Sequence, residues 1–205
     1  MRGTTVGIDI GTTTITTLVC RKEKDGKFRI LGVGQSPSKG MRRGAIIDVE
    51  EAASSLRRSL HEASRASQTV IRSAAVAVAG AHLGAFTTRG VIAISRPDGE
   101  ITEDDVERVI HAAEGFISKN PNREIIHLIP REFKVDGQGG ITDPTGMVGM
   151  KLEVEALVVD AAKPAIQNLI KCCELAGIAI DDWTSGALAA ANVLLTKEQK
   201  ELGAM

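Results

Sequence analysis

An acid, a glycine and three threonines follow an apolar segment near the start of the chain, as Asp9, Gly11, Thr12, Thr13 and Thr14. The apolar residues before them alternate with smaller or polar ones, which predicts a β-strand. A glycine lets the backbone approach a phosphate closely, and the threonines offer successive N–H groups and hydroxyls. Hydrated Mg²⁺ prefers carboxylates. The segment therefore predicts a phosphate-binding turn in which Asp9 holds Mg²⁺ through water.

The same residues are compatible with two other interpretations of this turn. An aspartic protease also combines Asp, Gly and Thr, but it needs two carboxylates that share one proton. The chain contains no second Asp-x-Gly-Thr or Asp-x-Gly-Ser segment, which excludes that class. A plain hairpin turn between two strands stays open, because such residues are common in turns.

Composition excludes several classes of function. The 205 residues carry a net charge of −1, which gives no global case for a nucleic-acid partner. The three cysteines, of which Cys172 and Cys173 are adjacent, form no disulfide framework and indicate a reducing cytoplasm. The histidines lack the spacing of metal ligands. No stretch reaches the roughly 20 apolar residues of a membrane span.

Hydrophobic periodicity and turn residues divide the chain. Residues 1–83 predict three antiparallel strands, a helix and another strand, and residues 160–205 continue with strand–helix units. Asp48 with Glu51 predicts a helix start. The basic loop from Gly40 to Gly44 indicates either a solvated connection or a contact with a phosphate or a partner. The predicted class is α/β.

Residues 84–159 differ in character and predict an inserted β-α-β-β block. Thr102 opens its helix, with acidic residues at the positive end of the helix dipole. The glycine-rich segment from Gly137 to Gly149 predicts an extended turn before the last strand. So small a sheet needs cover from its helix or from a partner.

These features resemble half of an actin-like ATPase, and over its whole length the chain resembles the bacterial cell-division family FtsA. The insert resembles the SHS2-like subdomain called 1C, and the flanking residues 1–83 and 160–205 resemble subdomain 1A. The segments that carry the resemblance are Val6–Thr12, Gly32–Gly34, Pro37–Met41, Gly44 with Asp48, Ile101–Val106, Ile126–Phe133, Leu175–Ile178, Leu195–Glu198 and Glu201–Gly203.

The resemblance implies specific roles. Gly11 to Thr14 would form the first phosphate hairpin for ATP, and Asp9 would hold Mg²⁺ through water. The family forms filaments through 1C, links FtsZ to the membrane and recruits late division proteins. The resemblance also implies a cytoplasmic location at the inner face of the membrane, at the division site. No catalytic residue can be assigned, so we expect a nucleotide-binding scaffold and not an enzyme.

The chain stops at Gly203-Ala204-Met205, where the family would begin a second phosphate hairpin. The adenosine-binding segment, the FtsZ-binding subdomain and a C-terminal amphipathic membrane helix would follow. We therefore expect negligible ATP binding by this chain alone. Two alternatives stay open, namely a PilM-like pilus assembly ATPase lobe and a sugar-kinase or chaperone-type ATPase lobe.

Overall fold

A computed structural model describes residues 3–117 and 120–203, so Ala204 and Met205 lie outside the described residues. The strands, in chain order, are β1 (Thr4–Ile10), β2 (Thr14–Lys22), β3 (Phe28–Pro37), β4 (Met41–Arg42), β5 (Ala45–Ile46), β6 (Ser73–Val78), β7 (Leu83–Ala93), β8 (Arg123–Val135), β9 (Gln138–Ile141), β10 (Lys151–Ala162) and β11 (Ala179–Ser185). The helices are α1 (Val49–Ser67), α2 (Glu103–Gly115), α3 (Lys163–Ala176), α4 (Gly186–Leu194) and α5 (Lys197–Leu202). The chain forms two compact units, one of residues 1–83 and 161–205 and one of residues 84–160.

A five-stranded sheet organises the first unit, in the order β11-β6-β1-β2-β3. The first three strands of the chain pair in antiparallel fashion, whereas β6 and β11 run parallel to β1 and β6 respectively. This arrangement places β1 at the centre of the sheet, so the turn at its carboxyl end is held from both sides. The buried apolar side chains of this unit include Val6, Ile8, Ile10, Ile15, Val19, Leu56, Val76, Val78, Ile166 and Leu169.

Two glycines of β3 let α1 pack closely on the sheet. A Cβ atom on Gly34 would lie 2.0 Å from the Ser59 carbonyl oxygen, and one on Gly32 would lie 2.9 Å from the Ala63 carbonyl oxygen. The Ser59 hydroxyl donates to the Gly34 carbonyl oxygen at 2.9 Å and also bonds the Thr17 hydroxyl at 2.8 Å. The helix is therefore fixed to the sheet by backbone contact and buried polar bonds.

The predicted basic loop is a short β-hairpin formed by β4 and β5. Its tip residues Arg43 and Gly44 both have positive φ, 51° and 78°, as the two central residues of a type I′ turn require. The Gly40 carbonyl oxygen accepts from the N–H groups of Ile47 and Asp48, which closes the base of the hairpin. Asp48 then caps α1 as predicted, through the Glu51 N–H.

The second unit contains a four-stranded sheet in the order β7-β10-β8-β9. The short strand β9 was not predicted, because its glycines are typical of turns and are depleted in strands. Helix α2 covers one face, where Thr88 donates to the Ala113 carbonyl oxygen at 3.0 Å. A compact apolar core lies there, with Ile94, Ile101, Val109, Ala113, Phe133, Val135, Leu152 and Val154 buried.

Candidate functional site

The turn between β1 and β2 brings the five predicted site residues together. The Gly11 N–H donates to the Thr14 carbonyl oxygen at 3.2 Å, which closes the turn. A Cβ atom on Gly11 would lie only 2.8 Å from that oxygen and 4.0 Å from Asp9 Oδ2. Glycine is therefore required by close approach, and the Asp9 carboxylate lies beside the turn. Thr12 and Thr13 are exposed at its tip.

Asp9 occupies the central strand of the sheet, opposite Thr16 of β2 and Ala77 of β6. Asp9 is exposed as a whole, yet desolvation by the surrounding protein raises the pKa of its carboxyl above the ordinary value. The hydrogen bonds and ion pairs among residues 3–117 and 120–203 include none to this carboxylate. A carboxylate that is partly desolvated and lacks a partner gains from a nearby cation.

The chemistry of this turn fits Mg²⁺ bound together with a phosphate. No group of three or more potential metal ligands exists within the described part of the chain, so a metal cage made only of protein groups is absent there. Mg²⁺ in nucleotide sites does not need one, since it keeps several waters and uses one or two carboxylates plus phosphate oxygens. Asp9 could supply that carboxylate, and the exposed turn could supply N–H and hydroxyl groups.

The structure adds a contact to this site that the sequence did not predict. The N–H of Gly44, at the tip of the β4–β5 hairpin, donates to Thr12 Oγ1 at 2.8 Å. At the start of the same segment, the Ser38 N–H donates to the Thr13 carbonyl oxygen at 2.9 Å. The basic segment of residues 38–44 is thus tied at both ends to the phosphate turn. The arginines between Gly40 and Gly44 indicated a possible phosphate contact in the sequence, but only the fold brings this segment to the turn.

A second exposed surface lies on the sheet of the second unit, on the face opposite α2. There Arg89 and Arg131 both pair with Glu155, with nitrogen–oxygen distances of 3.2 Å and 3.8 Å. Exposed ion pairs of this kind contribute little to stability.

In the same unit, large apolar side chains are strongly exposed, with exposed fractions of 73% for Phe116 and 78% for Met150.

A partly buried ion pair links the start of β8 to the end of β10 in the insert. Arg123 of β8 donates to Asp160 of β10 through two nitrogens, at 2.6 Å and 2.5 Å. A Cβ atom on Gly84 of β7 would lie 2.6 Å from Asp160 Oδ1 and 2.7 Å from Arg123 Nη2. Glycine at this position leaves room for the bidentate pair, whose geometry is the strong form of such bonds. No local sequence pattern predicts that these three residues meet.

The first unit defines the class of protein. Three antiparallel strands with an acid-glycine-threonine turn, followed by strand–helix units and an insert, form an actin-like α/β lobe. A solved chain from a PilM–PilN type IV pilus biogenesis complex resembles this fold with a TM-score of 0.63 at 15% identity. The resemblance covers 93% of this chain and 49% of the other. At this identity it shows the fold alone, and the predicted fold class is confirmed.

The sequence relationships are more specific than the fold. Residues 80–160 match the family described as the SHS2 domain inserted in FTSA. The cell division protein FtsA of Borreliella burgdorferi is 38% identical over 100% of this chain and 49% of its own length. FtsA of Bacillus subtilis is 38% identical over 97% of this chain and 44% of its own. FtsA of Escherichia coli is 31% identical over 97% and 46%.

These matches confirm the resemblance to the FtsA family that the sequence predicted, with the chain corresponding to a part of those proteins. The chain spans about half the length of the curated relatives it matches. The PilM-like alternative is not favoured, because its support is a fold similarity at 15% identity. Among residues 3–117 and 120–203, none of the helices combines the length and the apolar composition that a membrane crossing requires.

Proposed function

We propose that this chain is half of an FtsA-type cell-division scaffold and contributes its first phosphate hairpin and its 1C interaction subdomain. Nucleotide binding is supported by the geometry of the β1–β2 turn, where Asp9 Oδ2 lies 4.0 Å from the Cβ position of Gly11. The other lobe of the ATP site would come from the half of the relatives' length that this chain does not cover. Bound Mg²⁺ would offset the negative charge of the phosphates.

In this proposal ATP is an assembly ligand and not a substrate that is turned over quickly. The described turn presents threonine hydroxyls and one carboxylate, and Asp9 is assigned to the metal and not to proton transfer. Any ATPase activity of the complete protein is expected to be weak. A sugar-kinase or chaperone-type enzyme would need a catalytic acid or a sugar pocket, and no residue is assigned to either.

The second unit is proposed to make protein contacts. Its exposed apolar side chains, Phe116, Val148 and Met150, support this role, because large apolar groups at a surface often mark interaction sites. We propose that the complete protein polymerises through this subdomain and recruits late division proteins. It would also link FtsZ to the inner face of the membrane at the division site, through segments that lie outside this chain.

The nucleotide proposal is tested with Asp9→Ala in the complete protein, defined as this chain together with the half that its relatives add. We expect micromolar Mg-ATP binding by calorimetry, about 8 kcal/mol, and a loss of at least tenfold in the variant. The melting temperature without nucleotide should not fall, because no residue within 3–117 and 120–203 bonds the Asp9 carboxylate and its raised pKa indicates an unfavourable environment.

Two results would contradict this assignment. A complete protein that does not bind Mg-ATP would remove the nucleotide proposal altogether. A large fall in melting temperature for nucleotide-free Asp9→Ala would give this residue a structural role instead. The chain alone is the negative control, for which we expect negligible affinity.

The scaffold proposal is tested by a pull-down of FtsZ with the complete protein. We expect capture of FtsZ by the complete protein and none by residues 1–205, because the FtsZ-binding part is proposed to lie outside this chain. Capture by this chain would place that surface within the two units described above. If the complete protein does not capture FtsZ, the proposed link to FtsZ is wrong.

A further inference from the structure

The hairpin of β4 and β5 carries positive charge that the turn of residues 9–14 lacks. Residues 9–14 contain no Lys or Arg, whereas residues 38–44 contain Lys39, Arg42 and Arg43. ATP bound with one Mg²⁺ keeps a net negative charge, and Asp9 adds another. A site of this composition needs cations from a neighbouring segment.

The backbone holds this basic segment against the phosphate turn. The Ser38 N–H is 2.9 Å from the Thr13 carbonyl oxygen, and the Gly44 N–H is 2.8 Å from Thr12 Oγ1. Each bond joins one end of the segment to one of two successive threonines of the turn. The intervening residues are therefore constrained to remain beside the turn.

Packing further fixes the tip of the hairpin. A Cβ atom on Gly44 would lie 2.7 Å from Gly80 Cα and 2.9 Å from the Ala79 carbonyl oxygen. The hairpin tip thus sits directly on the chain that leaves β6, the strand that pairs with β1. Only a glycine with positive φ permits this contact, so the position of the neighbouring Arg43 is set by the fold.

The two arginines remain available for a ligand. Arg42 and Arg43 are both exposed, and neither forms an ion pair or a side-chain hydrogen bond with the described residues. Guanidinium groups bind phosphate oxygens through two parallel N–H bonds and keep their charge at any physiological pH. Two such groups beside the turn are suited to binding the phosphates of a nucleoside triphosphate.

We infer that Arg42 and Arg43 form the cationic side of the nucleotide site and contact the phosphates of ATP. This inference rests on the proposed function, since it assigns these residues to the same site. The same hairpin leads directly into the α1 cap at Asp48.

The test uses the complete protein and the charge-removing pair Arg42→Gln and Arg43→Gln. Glutamine keeps a polar side chain at both positions, so the hairpin should persist. The matched control is Arg21→Gln with Arg29→Gln, two exposed arginines opposite each other on β2 and β3 that remove the same net charge. The ligands are Mg-ATP and adenosine, and binding is followed by calorimetry or competition.

We expect the hairpin variant to bind Mg-ATP at least about tenfold more weakly, the loss of roughly one charge-assisted contact. Adenosine binding and the melting temperature should remain unchanged, and the control should bind Mg-ATP as the parent does. Equal losses for ATP and adenosine, an equal loss in the control, or no loss at all would overturn the inference. Failure of the parent to bind Mg-ATP would instead refute the proposed function on which the inference rests.

Discussion

Replacement of Gly34 by alanine tests whether the packing of α1 on the first sheet depends on direct contact between their backbones. The new Cβ atom would lie 2.0 Å from the Ser59 carbonyl oxygen, 2.4 Å from the Ala63 N and 3.0 Å from the Ala63 Cβ. Two of these atoms belong to the helix backbone and cannot move as a flexible side chain would. Strand and helix must therefore separate by more than an ångström.

The size of the effect follows from the contacts that this separation disturbs. Overpacking in a well-packed interior costs about 1–3 kcal/mol. The Ser59 hydroxyl's bond to the Gly34 carbonyl oxygen and its bond with the Thr17 hydroxyl would also weaken, and each contributes about 0.5–1.5 kcal/mol. We therefore expect a loss of roughly 2–5 kcal/mol in the free energy of unfolding, a large share of the 5–15 kcal/mol typical of a domain.

The matched control is Gly7→Ala in the same sheet. No atom lies within 4 Å of a Cβ built on Gly7. The same substitution there should change the free energy of unfolding by less than about 1 kcal/mol, and it should tend to stabilise because alanine restricts the unfolded chain. The comparison separates overpacking at Gly34 from the general effect of removing a glycine.

The assay is urea unfolding followed by the fluorescence of Trp183, the single tryptophan, which lies in β11 of the first unit. The slope of the transition should be unchanged, so that a shift in its midpoint reports stability. If Gly34→Ala is within about 1 kcal/mol of Gly7→Ala, the inference that backbone contact fixes α1 on the sheet is wrong.

Two further predictions concern buried titratable groups. Burial raises the pKa of Cys172 to about 11 and of Cys173 to about 12, so their stabilisation is present below the unfolded pKa near 9.0 and is lost as pH rises through these values. We expect the free energy of unfolding to fall between pH 9 and pH 11, with no labelling of these thiols by a disulfide reagent in the native chain at pH 8. Rapid native labelling would contradict this.

The N–H and hydroxyl of Thr102, at 3.1 Å and 2.9 Å, lower the pKa of buried Asp105, so its stabilisation exists above its unfolded pKa and is lost as pH falls. Asp105→Asn should cost about 1–2 kcal/mol at pH 7 and less near pH 3, whereas the exposed Asp104→Asn should cost little. Equal costs at both pH values would refute this.

Local chemistry explains which elements could be predicted from the sequence. The α1 cap at Asp48 depends on neighbouring residues and was placed correctly. The α2 start at Thr102 was placed for the same reason. The helix α5 was missed, although Thr196 and Gln199 form a capping box at its start.

The sequence by itself determined the turn that joins Asp9 with Gly11 to Thr14, because these residues are close along the chain and need no distant partner to come together. It also determined the insert and the family, since both were recognisable from local segments. Only the tertiary structure decided that Gly44 bonds Thr12, that Gly34 lies against Ser59, and that Gly84 makes room for Arg123 and Asp160. These contacts join residues far apart in the chain, and their positions follow from strand order and from how closely the backbones pack, which no local pattern specifies.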